Sequence, residues 1–232
     1  MKIISFPFAG GNKYCYPGLS KDIEGFHVIE YSGRGLRFNE PLGTNLNDIA
    51  AEMAEYTQRL VKEDEDFILY GHSMGAVIAF LVAQILQEQQ FKKPAKLVVS
   101  GRMSPSIKPG RFISHLPDDE FWQQIISLGG IHHELQDNPE LIEMILPVLR
   151  ADIIALENCQ FNLKSTLSIP IDAFHGSMED ITEQEMMAWK DVTDKELNVY
   201  KLTGDHFFIY DHLNYFTSYF ISLQIQTRSH ND

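Results

Sequence analysis

The chain of 232 residues is 44% hydrophobic and 22% charged, with a formal net charge of −13. That balance supports a packed core and excludes a disordered chain, and its sign argues against holding nucleic acid or an anionic membrane face through a general positive field. The longest apolar run, Ala76 to Leu86, is interrupted by Gln84 and falls far short of the roughly 20 residues a bilayer span needs.

The opening segment, Met1 to Pro7, has no apolar stretch followed by a small-residue cleavage site, so no secretory signal is expected and a cytoplasmic location is. The two cysteines, Cys15 and Cys159, lie far apart in no metal-like or redox-like spacing, which reads as two inert thiols in a reducing compartment. No metal and no cofactor is expected.

Strands are predicted at 2–7, 26–31, 66–71, 95–101, 169–175 and 196–202, most of them short apolar runs of the kind a parallel sheet covered on both faces requires. Helices alternate with them, giving an α/β pattern in a single domain over 1–232 with no repeat or linker. After the first strand comes the Gly-rich turn Phe6-Pro7-Phe8-Ala9-Gly10-Gly11. Leu46, Ile49, Met53, Tyr56 and Leu60 then recur at helical spacing behind the capping candidates Thr44 and Asn45.

Gly71-His72-Ser73-Met74-Gly75 follows, between the apolar run Phe67 to Tyr70 and the apolar helical run from Ala76. This is the strand–turn–helix setting of a nucleophile elbow, where a serine projects above a sheet and flanking glycines let the backbone pass without a Cβ clash.

From 104 to 165 the rhythm breaks, because helices are offered there without a strand between them. Asp118 opens one helix carrying Phe121, Trp122, Ile125 and Ile126, and Asn138-Pro139 is an N-cap followed by proline at the first helical position. Pro147 lies within the next pattern, Leu141, Ile145, Leu149, and is expected to kink or split that helix. The segment reads as a helical lid insertion over the serine that supplies an apolar acyl pocket, with a merely thicker helical layer as the alternative. Leu213, Phe216, Phe220 and Leu223 close the chain with a core stripe.

A serine hydroxyl needs a base within hydrogen-bond reach and a carboxylate to orient that base. In this class of elbow the order is serine, acid, histidine. Of nine histidines, His206 has the best setting, in the turn Thr203-Gly204-Asp205-His206 after the last strand, with His212 its competitor. His72 reads as structural, and His115, His132 and His133 as surface residues rather than metal ligands. The loop His175-Gly176-Ser177-Met178-Glu179-Asp180 offers Asp180 and Glu179 as acids, with Asp152 and Asp205 weaker alternatives. Oxyanion donors are expected from the backbone amide of Met74 and from the Gly-rich turn after the first strand.

Together these residues resemble the type II thioesterases that accompany polyketide synthases and nonribosomal peptide synthetases, within the α/β-hydrolase superfamily. The resemblance covers nearly the whole chain: the Phe6 to Gly11 turn, Ser32-Gly33-Arg34-Gly35 with Arg37-Phe38 and Glu40-Pro41, the elbow, Ser100-Gly101-Arg102, Leu128-Gly129-Gly130, and Leu146 to Asp152. It implies an α/β-hydrolase fold with a helical lid, a triad of Ser73, Asp180 and His206, and an oxyanion hole of the Ala9 and Met74 amides. It implies hydrolysis of acyl thioesters on the phosphopantetheine arm of acyl or peptidyl carrier proteins. The chain departs from the family in two loops, with Gly204-Asp205-His206 in place of Gly-Gly-His and Glu179-Asp180 in place of Asp-Asp. Asp205, a carboxylate beside the base, is expected to shift the activity optimum upward.

A carrier protein is usually acidic, so a basic rim of Arg34, Arg37, Lys108 and Arg111 is the expected contact near the pocket mouth. The competing readings are a free acyl-coenzyme A thioesterase or carboxylesterase, which the triad alone does not separate, and a catalytically silent module docked on a synthase.

Overall fold

The computed structural model describes residues 1–107, 110, 112–127, 138–163 and 165–228. Six strands, β1 (Lys2–Phe6), β2 (Phe26–Val28), β3 (Phe67–His72), β4 (Lys96–Ser100), β5 (Ile171–Gly176) and β6 (Leu197–Leu202), form one sheet in the order β2-β1-β3-β4-β5-β6. Every pairing is parallel, with Phe6 opposite Gly71 and His72 opposite Ser100. All six lie within three residues of their predicted bounds.

Helices α1 (Pro17–Asp22), α2 (Leu46–Leu60), α3 (Met74–Glu88), α4 (Asp118–Ser127), α5 (Pro139–Glu157), α6 (Glu183–Met187), α7 (Phe208–Asp211) and α8 (Leu213–Arg228) provide the crossovers and cover. Side chains alternate across a strand, and the strands sort their apolar residues accordingly. Ile4, Phe6, Phe67, Leu69, Leu97, Val99, Ile171 and Ala173 join the core under α2 and α3. Ile3, Ile68, Tyr70, Val98 and Phe174 join the opposite core with Phe208, Phe216 and Phe220.

Asn45 caps α2, accepting from the amides of Asn47 and Asp48, and Asn138 caps α5, accepting from Leu141. Pro147 does not split α5, which runs as one helix of 19 residues. Buried Leu149, Ala151, Asp152 and Ala155 anchor its second half and outweigh the hydrogen bond that proline removes. Among the described residues between β4 and β5 there are helices and no strand. Leu128-Gly129-Gly130 lies outside the described residues.

The strand order reverses between β1 and β3, where crossovers leave to opposite sides of the sheet. In open α/β sheets the carboxyl ends of the strands at that point form the ligand crevice. The Phe6 to Gly11 turn and Ser73 follow those two strands.

Candidate active site

Six consecutive buried residues make β3, and the chain then reverses into α3 through Ser73, whose φ of 54° and ψ of −116° lie outside the ordinary regions for a non-glycine residue. Such a conformation persists only where its surroundings over-determine it. A Cβ on Gly71 would stand 2.0 Å from the carbonyl carbon of Gly75, and one on Gly75 would stand 2.1 Å from Phe6 O. Those two glycines let strand, turn and helix close on each other and on β1. The Ser73 amide donates to Ser100 O at 2.8 Å, carrying the β3–β4 ladder into the elbow. Met74 is the first residue of α3, so its N–H is one of the helix's four orphan donors.

The turn after β1 is pinned from several sides. Tyr16 OH donates to Phe6 O at 3.0 Å, Tyr31 OH to Pro7 O at 2.9 Å, and Gly11 N to Phe8 O at 2.9 Å. Gly10 takes a φ of +75°, and its amide donates to Asp152 Oδ2 at 2.8 Å. Between these anchored groups, the amide of Ala9 donates to no described residue.

The carboxylate that the structure sets on the histidine is Glu179, not the expected Asp180. His206 Nδ1 donates to Glu179 Oε1 at 2.6 Å, and the Gly176 amide donates to Glu179 Oε2 at 2.6 Å. The Glu179 side chain is 3% exposed and that of His206 is 21% exposed, while Asp180 faces solvent. The reason is local geometry. The chain turns back after β5, with Glu179 N approaching Gly176 O, and this folds the longer side chain inward over the strand end. Asp180, one residue on, points away.

Gly176 also has no room for a side chain, since a Cβ would meet Asp205 O at 2.5 Å and Gly204 O at 2.6 Å. That close approach brings the histidine loop against the acid loop.

The other candidates are otherwise engaged. His212 Nε2 faces Thr203 O at 2.8 Å, Asp205 Oδ1 accepts from the Phe207 amide at 2.9 Å, and Asp152 lies on α5 bonded to Arg34. His72 is buried, with Nδ1 2.9 Å from Ser100 Oγ. Burial, reinforced by the neighbouring His206, holds its pKa well below the ordinary imidazole range, so His72 is neutral. Its ring centroid is 4.9 Å from that of His206, which sets the candidate base beside the elbow. Ser73 Oγ hydrogen-bonds to no described residue; in such sites the contact between nucleophile and base commonly tightens only when substrate binds.

Two members of the expected basic rim, Arg34 and Arg37, are committed to internal ion pairs. Arg34 is 6% exposed and bidentate to Asp152, and Arg37 is bound to Glu40 and Glu52, so neither guanidinium is free to meet a partner. Lys108 and Arg111, like His132 and His133, lie outside the described residues. The part played by Tyr16, Tyr31 and Arg34 in holding the turn was not legible, because each partner is distant in sequence.

The thioesterase-domain family matches residues 1–221. This chain belongs to that family. The thioesterase is 36% identical over 216 residues to the linear gramicidin dehydrogenase LgrE of Brevibacillus parabrevis, covering 90% of this chain and 81% of the relative. It superposes with a TM-score of 0.85 and 28% identity on RedJ, a thioesterase of the prodiginine pathway of Streptomyces coelicolor, covering 94% of this chain and 89% of RedJ. With BorB, a type II thioesterase of the borrelidin cluster, the TM-score is 0.86 at 26% identity, covering 95% of this chain and 91% of BorB. The parallel sheet and its helical cover are therefore those of an α/β-hydrolase, and the thioesterase is a serine hydrolase by family. Among the described residues no helix is long and apolar enough to cross a membrane.

Proposed function

We propose that the thioesterase releases acyl groups from the phosphopantetheine arm of acyl or peptidyl carrier proteins, with Ser73 as nucleophile, His206 as base and Glu179 as the orienting acid. The observation that carries this reading is the 2.6 Å pairing of His206 Nδ1 with buried Glu179, on a ring packed beside the residue that precedes Ser73. LgrE bears a dehydrogenase's name; this chain's elbow and its imidazole–carboxylate pair are parts for acyl transfer.

Glu179 fixes the tautomer with the proton on Nδ1, leaving Nε2 to accept the Ser73 proton as Oγ attacks the thioester carbonyl. The amides of Ala9 and Met74 stabilise the oxyanion. Collapse expels the pantetheine thiol, which takes the proton from His206, and leaves an acyl-serine. His206 next deprotonates water, and the resulting attack frees the acid and restores Ser73.

Helices α4 and α5, within the 104–165 insertion, act as a lid over an apolar acyl pocket. Phe121, Trp122, Ile125 and Leu149 form a cluster of their own with Ile145 and Ala9 packed on it, which supports this role. The site of action is the cytoplasm, where both cysteines stay free thiols; burial pushes the Cys159 thiol up to about 11 and that of Cys15 higher still.

The test presents one acyl group on a carrier protein, on coenzyme A and on a simple oxygen ester, and follows release by intact-protein mass. Strong preference for the carrier supports the reading, equal turnover assigns a general acyl thioesterase, and preference for the oxygen ester assigns a carboxylesterase. A serine-directed fluorophosphonate that labels the wild type and spares Ser73→Ala excludes a silent module.

A further inference from the structure

The buried ion pair between Arg34 and Asp152 joins the helical insertion to the turn after β1. Asp152 is wholly buried on α5, 118 residues from its partner, and each of its oxygens takes a guanidinium nitrogen at 2.7 Å. Its Oδ2 also accepts from the Gly10 amide at 2.8 Å, while Arg34 donates to Gly11 O at 3.3 Å. The guanidinium lies over the Tyr31 ring, at 5.2 Å, whose hydroxyl in turn holds Pro7 O. Burial works against the charge on Arg34, but the bonds and charge of Asp152 prevail and raise its pKa above the ordinary value.

A buried pair of this kind is a poor source of stability, because an apolar pair of equal volume usually serves as well. What an apolar pair cannot do is fix a peptide plane. Gly10 is free to adopt many conformations, yet here Asp152 holds its N–H while Leu149, one turn before Asp152 on the same helix, covers its α-carbon, 2.6 Å from where a Cβ would be. Ala9 is thereby clamped between the Pro7 carbonyl held by Tyr31 and the Gly10 amide held by Asp152.

We infer that Asp152, with Arg34 as its counter-ion, is a positioning residue that aims the Ala9 amide at the developing oxyanion, a role that rests on the oxyanion hole proposed above. Neither side chain touches substrate. Removing an oxyanion donor outright lowers kcat by about 10²–10³-fold, so a donor left in place but loosened is expected to lower it by about 10–10²-fold.

The experiment compares wild type, Asp152→Asn, Arg34→Lys and Ser73→Ala. Active sites are counted by exhaustive fluorophosphonate titration, so that misfolded molecules drop out. Two ligands are then compared: an alkyl trifluoromethyl ketone, whose carbonyl becomes an oxyanion when Ser73 Oγ adds to it, and the corresponding alkyl thioether, which has no carbonyl. The asparagine amide offers one acceptor where two are in use, and lysine lacks the fork, so each variant slackens the clamp.

The expected result is a fall in kcat per titrated site of about 10-fold or more with KM changed less than about threefold. Affinity for the ketone falls by a similar factor, and affinity for the thioether stays within about twofold. Unchanged kcat per site and ketone affinity in both variants would overturn the inference and leave the pair a structural one, as would equal weakening of both ligands. Hydrolysis by Ser73→Ala equal to wild type would instead remove the serine mechanism, and this inference with it.

Discussion

Glu179 Oε1 and His206 Nδ1 stand 2.6 Å apart, and the other carboxylate oxygen rests on the Gly176 amide, so the acid is held at both ends before any substrate arrives. Glu179→Gln keeps the shape but offers an amide where the proposed mechanism uses a charge to stabilise the imidazolium, and it is expected to lower kcat/KM by about 10²–10⁴-fold. Asp180→Asn, on the solvent side of the same loop, should stay within about threefold of wild type. Steady-state hydrolysis of a model acyl thioester checks both; the opposite order of effects would return the acid to Asp180.

Gly101 tests how tightly the elbow's neighbour is seated. Its φ is +60°, and a Cβ there would stand 2.4 Å from Cε1 of His72. Gly101→Ala combines left-handed strain with overpacking, each costing about 1–3 kcal/mol. Urea denaturation should show a loss of about 2–5 kcal/mol, whereas Gly110→Ala, where a Cβ meets nothing within 4 Å, should lie within about 0.5 kcal/mol of wild type.

Buried neutral His72 makes stability depend on pH in a definite direction. Its pKa is lower folded than unfolded, so below about pH 6.5 the unfolded chain binds a proton that the folded chain refuses. Stability is flat on this account above that pH and falls as pH drops beneath it, by up to about 1.4 kcal/mol per pH unit. His72→Asn removes the group and should lessen the slope between pH 6.5 and 5 by about one proton. Urea midpoints across that range decide; identical slopes would mean that His72 takes up its proton in the folded state.

The Arg34 and Asp152 pair should behave unequally under single and double substitution. Arg34→Ala leaves a buried carboxylate with the Gly10 amide but no counter-charge, at a cost of about 3–5 kcal/mol. Arg34→Met with Asp152→Leu removes both charges and should be closer to wild-type stability than the single change. A double variant less stable than Arg34→Ala in urea would show that the pair itself stabilises the fold.

The sheet was legible in the sequence because most of its strands are short apolar runs, the central ones buried along their length, and Asn45 and Asn138 announce two helix starts in the local code of capping. The elbow was legible for the same reason, since Gly71, Ser73 and Gly75 act within five residues. Glu179 was not separable from Asp180, because which of two adjacent carboxylates turns inward depends on how the loop folds back over Gly176. Arg34 was misread as a surface cation. Charge is visible in a sequence, but a partner 118 residues away is not. Pro147 carried a local signal for a kink or a split, and the helix runs through it without splitting, its following turns buried.

On the proposed mechanism, the backbone of Ser73 sets the reaction and the fold at odds. Glycine would occupy a φ of 54° without the Cβ crowding that costs other residues about 1–2 kcal/mol. Random drift toward a sturdier protein would therefore favour discarding the hydroxyl at this position. On the proposed mechanism activity requires the serine against that pull, and a lineage released from the need to cleave thioesters would be expected to lose it early.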